Sequence, residues 1–266
     1  MATPLTNLRI FWQSAYLSYK ALFRWFSPIS YASSKVIMPL FQLIFFTFLG
    51  TFATGAENAP FFLIGNSVLA VAINGIYGVS MTVGMERRQG TLPYLFGTPA
   101  NRLFLFSGRA VVHIFDGMVG AGISLLAAVL IFRLDLSAAN PLAFALTVLI
   151  TSASTAAMGL LLGSLSLVTL NVMFFNNTIY FLLLVLAGVN LPLEMLPGWA
   201  RIISQGLPLT RGLAAARMIV AGSGLGDVWH LLVQELGIGA IYFTIGYVAF
   251  STFEREAKKR GTLEAY

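Results

Sequence analysis

The sequence predicts an all-α integral membrane fold. It has six transmembrane helices, an N-terminal amphipathic interfacial helix, a short cytoplasmic helix between the second and third spans, and re-entrant helices on the extracellular side before the sixth. Three observations carry this. No Asp, Glu, Lys or Arg occurs from Leu136 to Leu193. As one straight helix that stretch would run about 87 Å, against a hydrocarbon core of about 30 Å, so it turns within itself and crosses at least twice. Hydrophobic residues make up 58% of the chain and charged residues 10%, with a mean hydropathy of +0.83, which is more apolar surface than a soluble core can hide. Finally, Lys and Arg gather in alternate connections between the apolar windows, as the positive-inside rule requires.

Before the first span, Leu5, Leu8, Trp12, Ala15, Tyr19, Leu22 and Phe26 recur at three- and four-residue steps beside a stripe of Arg9, Gln13, Lys20 and Arg24. This amphipathic helix, 5–27, suits an interfacial position, apolar stripe in the acyl boundary and basic stripe on anionic head groups; the plainer alternative is packing on the spans alone. Charge-free windows then place spans at 36–56 and 61–85, with Lys35 just outside the first. No cleavable signal peptide is recognisable ahead of that run, so the first span is expected to direct insertion.

The third span, 110–132, contains His113 and Asp116. With Arg109 they share one helical face near the cytoplasmic end. A His and a carboxylate can form a proton relay; the competing reading is a structural cluster in which Arg109 neutralises Asp116. The long uncharged window divides at Gly163 to Asn171 into spans 141–164 and 170–190, and the sixth span is 236–253. Arg9, Lys20, Arg24, Lys35, Arg87, Arg88, Arg102, Arg109, Arg255, Lys258, Lys259 and Arg260 fall on one side, against Arg133, Arg201, Arg211 and Arg217 on the other. Both termini are therefore expected in the cytoplasm.

Between the second and third spans, 86–101 reads Glu86-Arg87-Arg88-Gln89-Gly90-Thr91-Leu92 and continues to Thr98-Pro99. Gly90 permits a tight reversal, and Thr91 can cap a short helix that Gly97 and Pro99 end. On the outer side, 191–220 contains Leu191, Pro192, Leu196, Pro197, Trp199 and Pro208. Pro197 can open a short helix that Gly206 and Pro208 close, and Thr210 can cap the next. Neither piece is long enough to span, so both would dip in and return under cover of protein or a water-filled cavity. Glu194, Arg201, Arg211 and Arg217 are expected to pair with one another or with lipid phosphates. Asn66, Asn74 and Tyr77 on the second span, and Asn176 and Asn177 on the fifth, either join helices or line a polar pathway.

There is no cysteine and there are only 2 His, and no phosphate-binding loop or H-E-x-x-H motif occurs, so catalysis, zinc binding and disulfides find no support. The net charge of +6 lies beside the spans, which points to lipid rather than nucleic acid.

Glu86 to Leu92 with Thr98-Pro99 resembles the coupling-helix signature of the type-2 ABC exporter permeases, and the order of elements is similar over essentially the whole chain. The resemblance implies a transport subunit of a bacterial or archaeal plasma membrane, working with soluble ABC ATPase subunits that hold ATP and Mg, and with a second, identical or related permease. It implies ATPase coupling through Glu86, Arg87, Arg88, Gly90, Thr91, Leu92 and Pro99. Leu191, Pro192, Leu196, Pro197, Trp199 and Pro208 would then form a re-entrant gate, and the substrate would be an amphiphile such as a drug, lipid or lipid-linked glycan. A proton-coupled carrier using His113 and Asp116, or a non-transporting scaffold or immunity protein, are the alternatives from other classes.

Overall fold

The computed structural model describes residues 4–25, 27–98, 100–169 and 171–260, the side chains at 4, 22–25, 28 and 260 excepted. Among these residues there is no strand. The helices are α1 (Pro4–Trp25), α2 (Ile29–Thr54), α3 (Ala56–Arg88), α4 (Leu92–Gly97), α5 (Arg102–Phe132), α6 (Pro141–Leu165), α7 (Val172–Leu186), α8 (Gly198–Gly206), α9 (Thr210–Val220) and α10 (Leu225–Arg260).

Five of them, α2, α3, α5, α6 and α10, are long and apolar enough to cross a membrane. The chain is thus a multi-pass membrane protein. The fifth expected span is a shorter apolar helix, α7, of 15 residues. Its length of about 22 Å falls short of a hydrocarbon core. The predicted start at residue 170 lies outside the described residues.

α3 and α6 form the centre. They cross where Gly75 and Gly159 remove side chains from the contact: a Cβ on Gly159 would lie 2.1 Å from the Gly75 carbonyl oxygen. Around this pair, α5 packs on α3 and α6, α10 packs along α6, and α2 leans on α3. α1 lies along α5 through a seam of small residues, with Ser14, Ala15 and Ser18 buried and Gly108 of α5 against the Phe11 carbonyl. Leu5, Leu8, Trp12 and Tyr19 stay exposed, as an interfacial stripe requires. The outward faces of α2 (Phe41, Phe45, Phe48, Phe52) and α7 (Phe174, Phe181, Val185) are apolar and uncovered, surface that only lipid or another apolar partner can hide.

Several boundaries differ from the expected ones, three of them with a consequence for charged residues or caps. α2 begins before Lys35, which is buried in the bundle: an ion partner on α5 removes the cost that placed it outside. α5 starts at Arg102 rather than 110, because Asn101 caps it by accepting the Leu103 N–H at 3.0 Å. α10 begins at Leu225 rather than 236, so Glu235 is inside it. α2 and α3 also each contain a π-helical turn, Ser33–Ile37 and Ile73–Gly78.

Candidate functional site

The segment between α3 and α5 starts with charges that turn inward. Glu86 pairs with Arg109 of α5 at 2.6 Å, and Arg87 Nη1 donates to the Ser166 carbonyl at the end of α6, at 2.6 Å. Arg88 is exposed. Gly90 takes φ +67, the reversal expected of it. Thr91 occupies the cap position of α4, but its hydroxyl donates back to the Glu86 carbonyl at 3.1 Å and to the Glu86 carboxylate rather than capping. Once the Glu86 carboxylate is in reach it is the stronger acceptor. Leu92 and Phe96 are buried in a cluster with Phe106 and Phe250, contributing about 1.5–3 kcal/mol each if fully buried. Tyr94, on the opposite face of α4, is 80% exposed. Arg102 donates to the Phe96 carbonyl at 3.0 Å and to Glu254 of α10 at 3.3 Å, and Lys258 joins Glu254 at 2.7 Å. Pro99 lies outside the described residues.

At the other end, Pro197 precedes α8 as expected. Leu196 and Pro208 are buried, Pro192 is half-buried, and Leu191, Pro197 and Trp199 are exposed. Met195, Trp199, Ile202 and Ile203 form an apolar outward face. Among the described residues these arginines form no ion pair with the Glu194 carboxylate. Arg201 Nη2 donates to the Glu194 carbonyl oxygen at 2.9 Å, and Arg211 Nη1 donates to Gln205 O at 2.6 Å. Arg217 donates to Phe61 O and Val189 O at 3.1 and 3.0 Å and stacks 3.6 Å over the Phe61 ring. Short helices and turns leave carbonyls without internal partners, and these acceptors claim the guanidiniums. Thr210 does not cap α9; its hydroxyl donates to Ser204 O at 2.9 Å. That place is taken by the buried carboxylate of Glu235. The turn before α9 also holds Leu209 at φ +85, a conformation costing a non-glycine residue about 1–3 kcal/mol.

Midway, Lys35 of α2 bonds to Asp116 of α5 and to the Asn74 side-chain oxygen. Tyr31 donates to the other Asp116 oxygen at 2.6 Å. Asp116 is therefore neutralised by Lys35 and not by Arg109, whose partner is Glu86. His113 contacts the Thr82 hydroxyl at 3.1 Å, so the His and the carboxylate share a helix face without bonding to each other. Asn66 donates to Phe62 O and to the Asn190 side chain, and Asn176 donates to Ser80 at 2.6 Å. Asn74 and Asn176 thus make buried helix-to-helix bonds, whereas Asn66 ties α3 to the stretch after α7. Tyr77 and Asn177 pair at 2.7 Å at the surface, beside Tyr180, which donates to Gln42 at 2.8 Å.

A short helix is thus held at one end of the bundle and a broken hairpin at the other. The family model described as ABC-2 type transporter matches residues 14–221. The chain belongs to this family. It is 26% identical over 217 residues to the daunorubicin resistance ABC transporter permease protein DrrB1 of Streptomyces coeruleorubidus, covering 78% of this chain and 75% of that protein. It is also 26% identical over 199 residues to the probable multidrug ABC transporter permease YbhR of Escherichia coli K12, covering 73% of this chain and 52% of YbhR. The chain thus spans about half the length of YbhR.

As an ABC-2 permease the chain is a transport subunit, and two of its polar residues were not legible as site residues. Tyr94 reads as one more apolar residue of 86–101, yet it alternates with Leu92 and Phe96 so as to face outward. Glu235 reads as the head of a span. Its partners are main-chain groups 23–26 residues earlier, which no side-chain pattern announces.

Proposed function

We propose that this chain is the permease half of an ATP-driven exporter that moves an amphiphilic substrate, a drug, lipid or lipid-linked glycan, from the cytoplasm or inner leaflet outward. Two such permeases would form the pathway with two soluble ATPases holding ATP and Mg. Among substrates, the names of DrrB1 and YbhR favour a drug-like amphiphile. In this reading the end carrying Glu86 is cytoplasmic, together with both termini: α1 meets Gly108 and Glu254 meets Arg102 at that same end. α7 is the sixth crossing, its shortfall made up by residues 187–190, since it runs beside α3 from Ser80 to Asn66.

The observation that carries the proposal is α4. Its Leu92 and Phe96 root it in the bundle while Arg88, Gln89 and Tyr94 face water, as a lever gripped by a soluble motor needs. Closure of the ATPases would push α4. The ion pairs Glu86–Arg109 and Arg102–Glu254 would pass the displacement to α5 and α10, and the halves would rotate as rigid bodies. Tyr77 and Asn177 would face the pathway, and the hairpin α8–α9 would close it outside.

Purified with its ATPase and reconstituted in vesicles, the permease is expected to lose most of its stimulation of ATP hydrolysis on Tyr94→Ala. About a tenfold loss corresponds to a single aromatic docking contact. Arg88→Ala is expected to lose less, and neither change should alter the amount of folded permease. Undiminished stimulation in both variants would remove α4 as the docking element.

A further inference from the structure

The corner from Ser204 to Gly212 joins α8 to α9, and the hydrogen bonds that reach it from another element come from α10. Glu235, with no exposed surface, accepts the Leu209 N–H on Oε1 at 2.7 Å. Its Oε2 accepts the N–H groups of Arg211 and Gly212, each at 3.2 Å. Gln234 accepts from Arg211 Nε at 2.9 Å. Two turns along the same helix, Tyr242 donates to the Gly206 carbonyl at 3.1 Å.

A buried carboxylate is costly, and an apolar residue of similar volume would fill the same space at less cost. What offsets the cost here is specific: both oxygens accept from N–H groups at the positive end of a helix dipole, which have no partner inside α9. The first of these belongs to Leu209, whose backbone persists at positive φ only where its surroundings over-determine it. Leu209 and Leu207 are in turn packed in the main core, so the corner is fixed by apolar contact on one side and by α10 on the other.

We infer that Glu235 is the positioning residue of the outer hairpin. It sets the angle between α8 and α9, and so where the face of Met195, Trp199, Ile202 and Ile203 lies. Its importance for transport rests on the reading of the hairpin as an outer gate; the positioning itself does not.

The chain has no cysteine, so Trp199→Cys on α8 and Ser137→Cys in the α5–α6 connection each give a single reporter for a membrane-impermeant maleimide in whole cells. Glu235→Gln keeps the size of the side chain but turns an amide N–H₂ toward main-chain donors. It is expected to change the labelling rate at 199 by about fivefold, the factor matching one net hydrogen bond, and to leave the rate at 137 unchanged. Glu235→Asp should fall between Gln and the parent. If Glu235→Gln does not accumulate in the membrane, Tyr242→Phe is read the same way, with about a twofold change expected from one neutral bond at the weak end of its range. Parental rates at 199 in every variant that accumulates would overturn the inference. A shifted rate at 199 with unaltered substrate efflux would uphold the positioning role and remove the gate.

Discussion

The two ends of the bundle use the same residue types to opposite effect. At the α4 end, charge meets charge, Glu86 with Arg109 and Arg102 and Lys258 with Glu254, beside the carbonyl bonds of Arg87 and Arg102. At the hairpin end, Arg201, Arg211, Arg217 and Glu235 bond to main-chain groups or to a neutral amide. A pair with one member in water, as Lys258–Glu254 has, can part and re-form with other partners at little cost. A buried charge held by the backbone cannot leave without stranding both itself and the groups it satisfies. The Lys258–Glu254 pair yields to force, and the Glu235-held corner resists it.

The strongest way to test this contrast begins between the two ends, where both members of an ion pair are buried. Lys35→Ala or Asp116→Ala alone is expected to cost about 3–5 kcal/mol, seen as loss of monodisperse protein in detergent. The double change Lys35→Met with Asp116→Leu should recover most of it. At the hairpin end, Arg217→Ala is expected to cost about 1.5–3 kcal/mol, the range for a hydrogen bond to a charged group, with little dependence on salt. The smallest loss should come at the α4 end, where Lys258→Ala costs about 1 kcal/mol or less, and still less as salt rises toward about 1 M. Thermal midpoints of the purified variants at low and high salt give this order. A Lys258 variant as damaged and as salt-independent as the Arg217 variant would erase the contrast.

The sequence makes the yielding end far more legible than the resisting one. The α4 segment is contiguous, its turn follows from Gly90, and its resemblance to a known signature is local. Charge-free windows likewise locate the long helices, because the cost of a charge in lipid is large. That same rule misplaces Lys35 and Glu235, which carry their charge inside a helix. Each is compensated by groups remote in sequence, Asp116 being 81 positions from Lys35. For the arginines of the hairpin, side-chain patterns suggest acidic partners, whereas the accepting carbonyls belong to every residue alike and leave no mark in the letters. The asparagines show the same limit: Asn66, Asn74 and Asn176 are buried joints and Asn177 faces out, yet all four look equivalent in sequence.

The π turns at Ser33–Ile37 and Ile73–Gly78 hold Lys35 and Asn74, which bond to each other while Lys35 also reaches the Asp116 carboxylate. Each turn contains a surplus residue relative to α geometry. Handing that residue to the next turn would swing the side chains passed over by about 100°, one residue's rotation in an α-helix, while main-chain bonding is conserved step by step. Two helices of the bundle thus have a place where the face shown to a neighbour can shift by one residue without either being drawn along its axis.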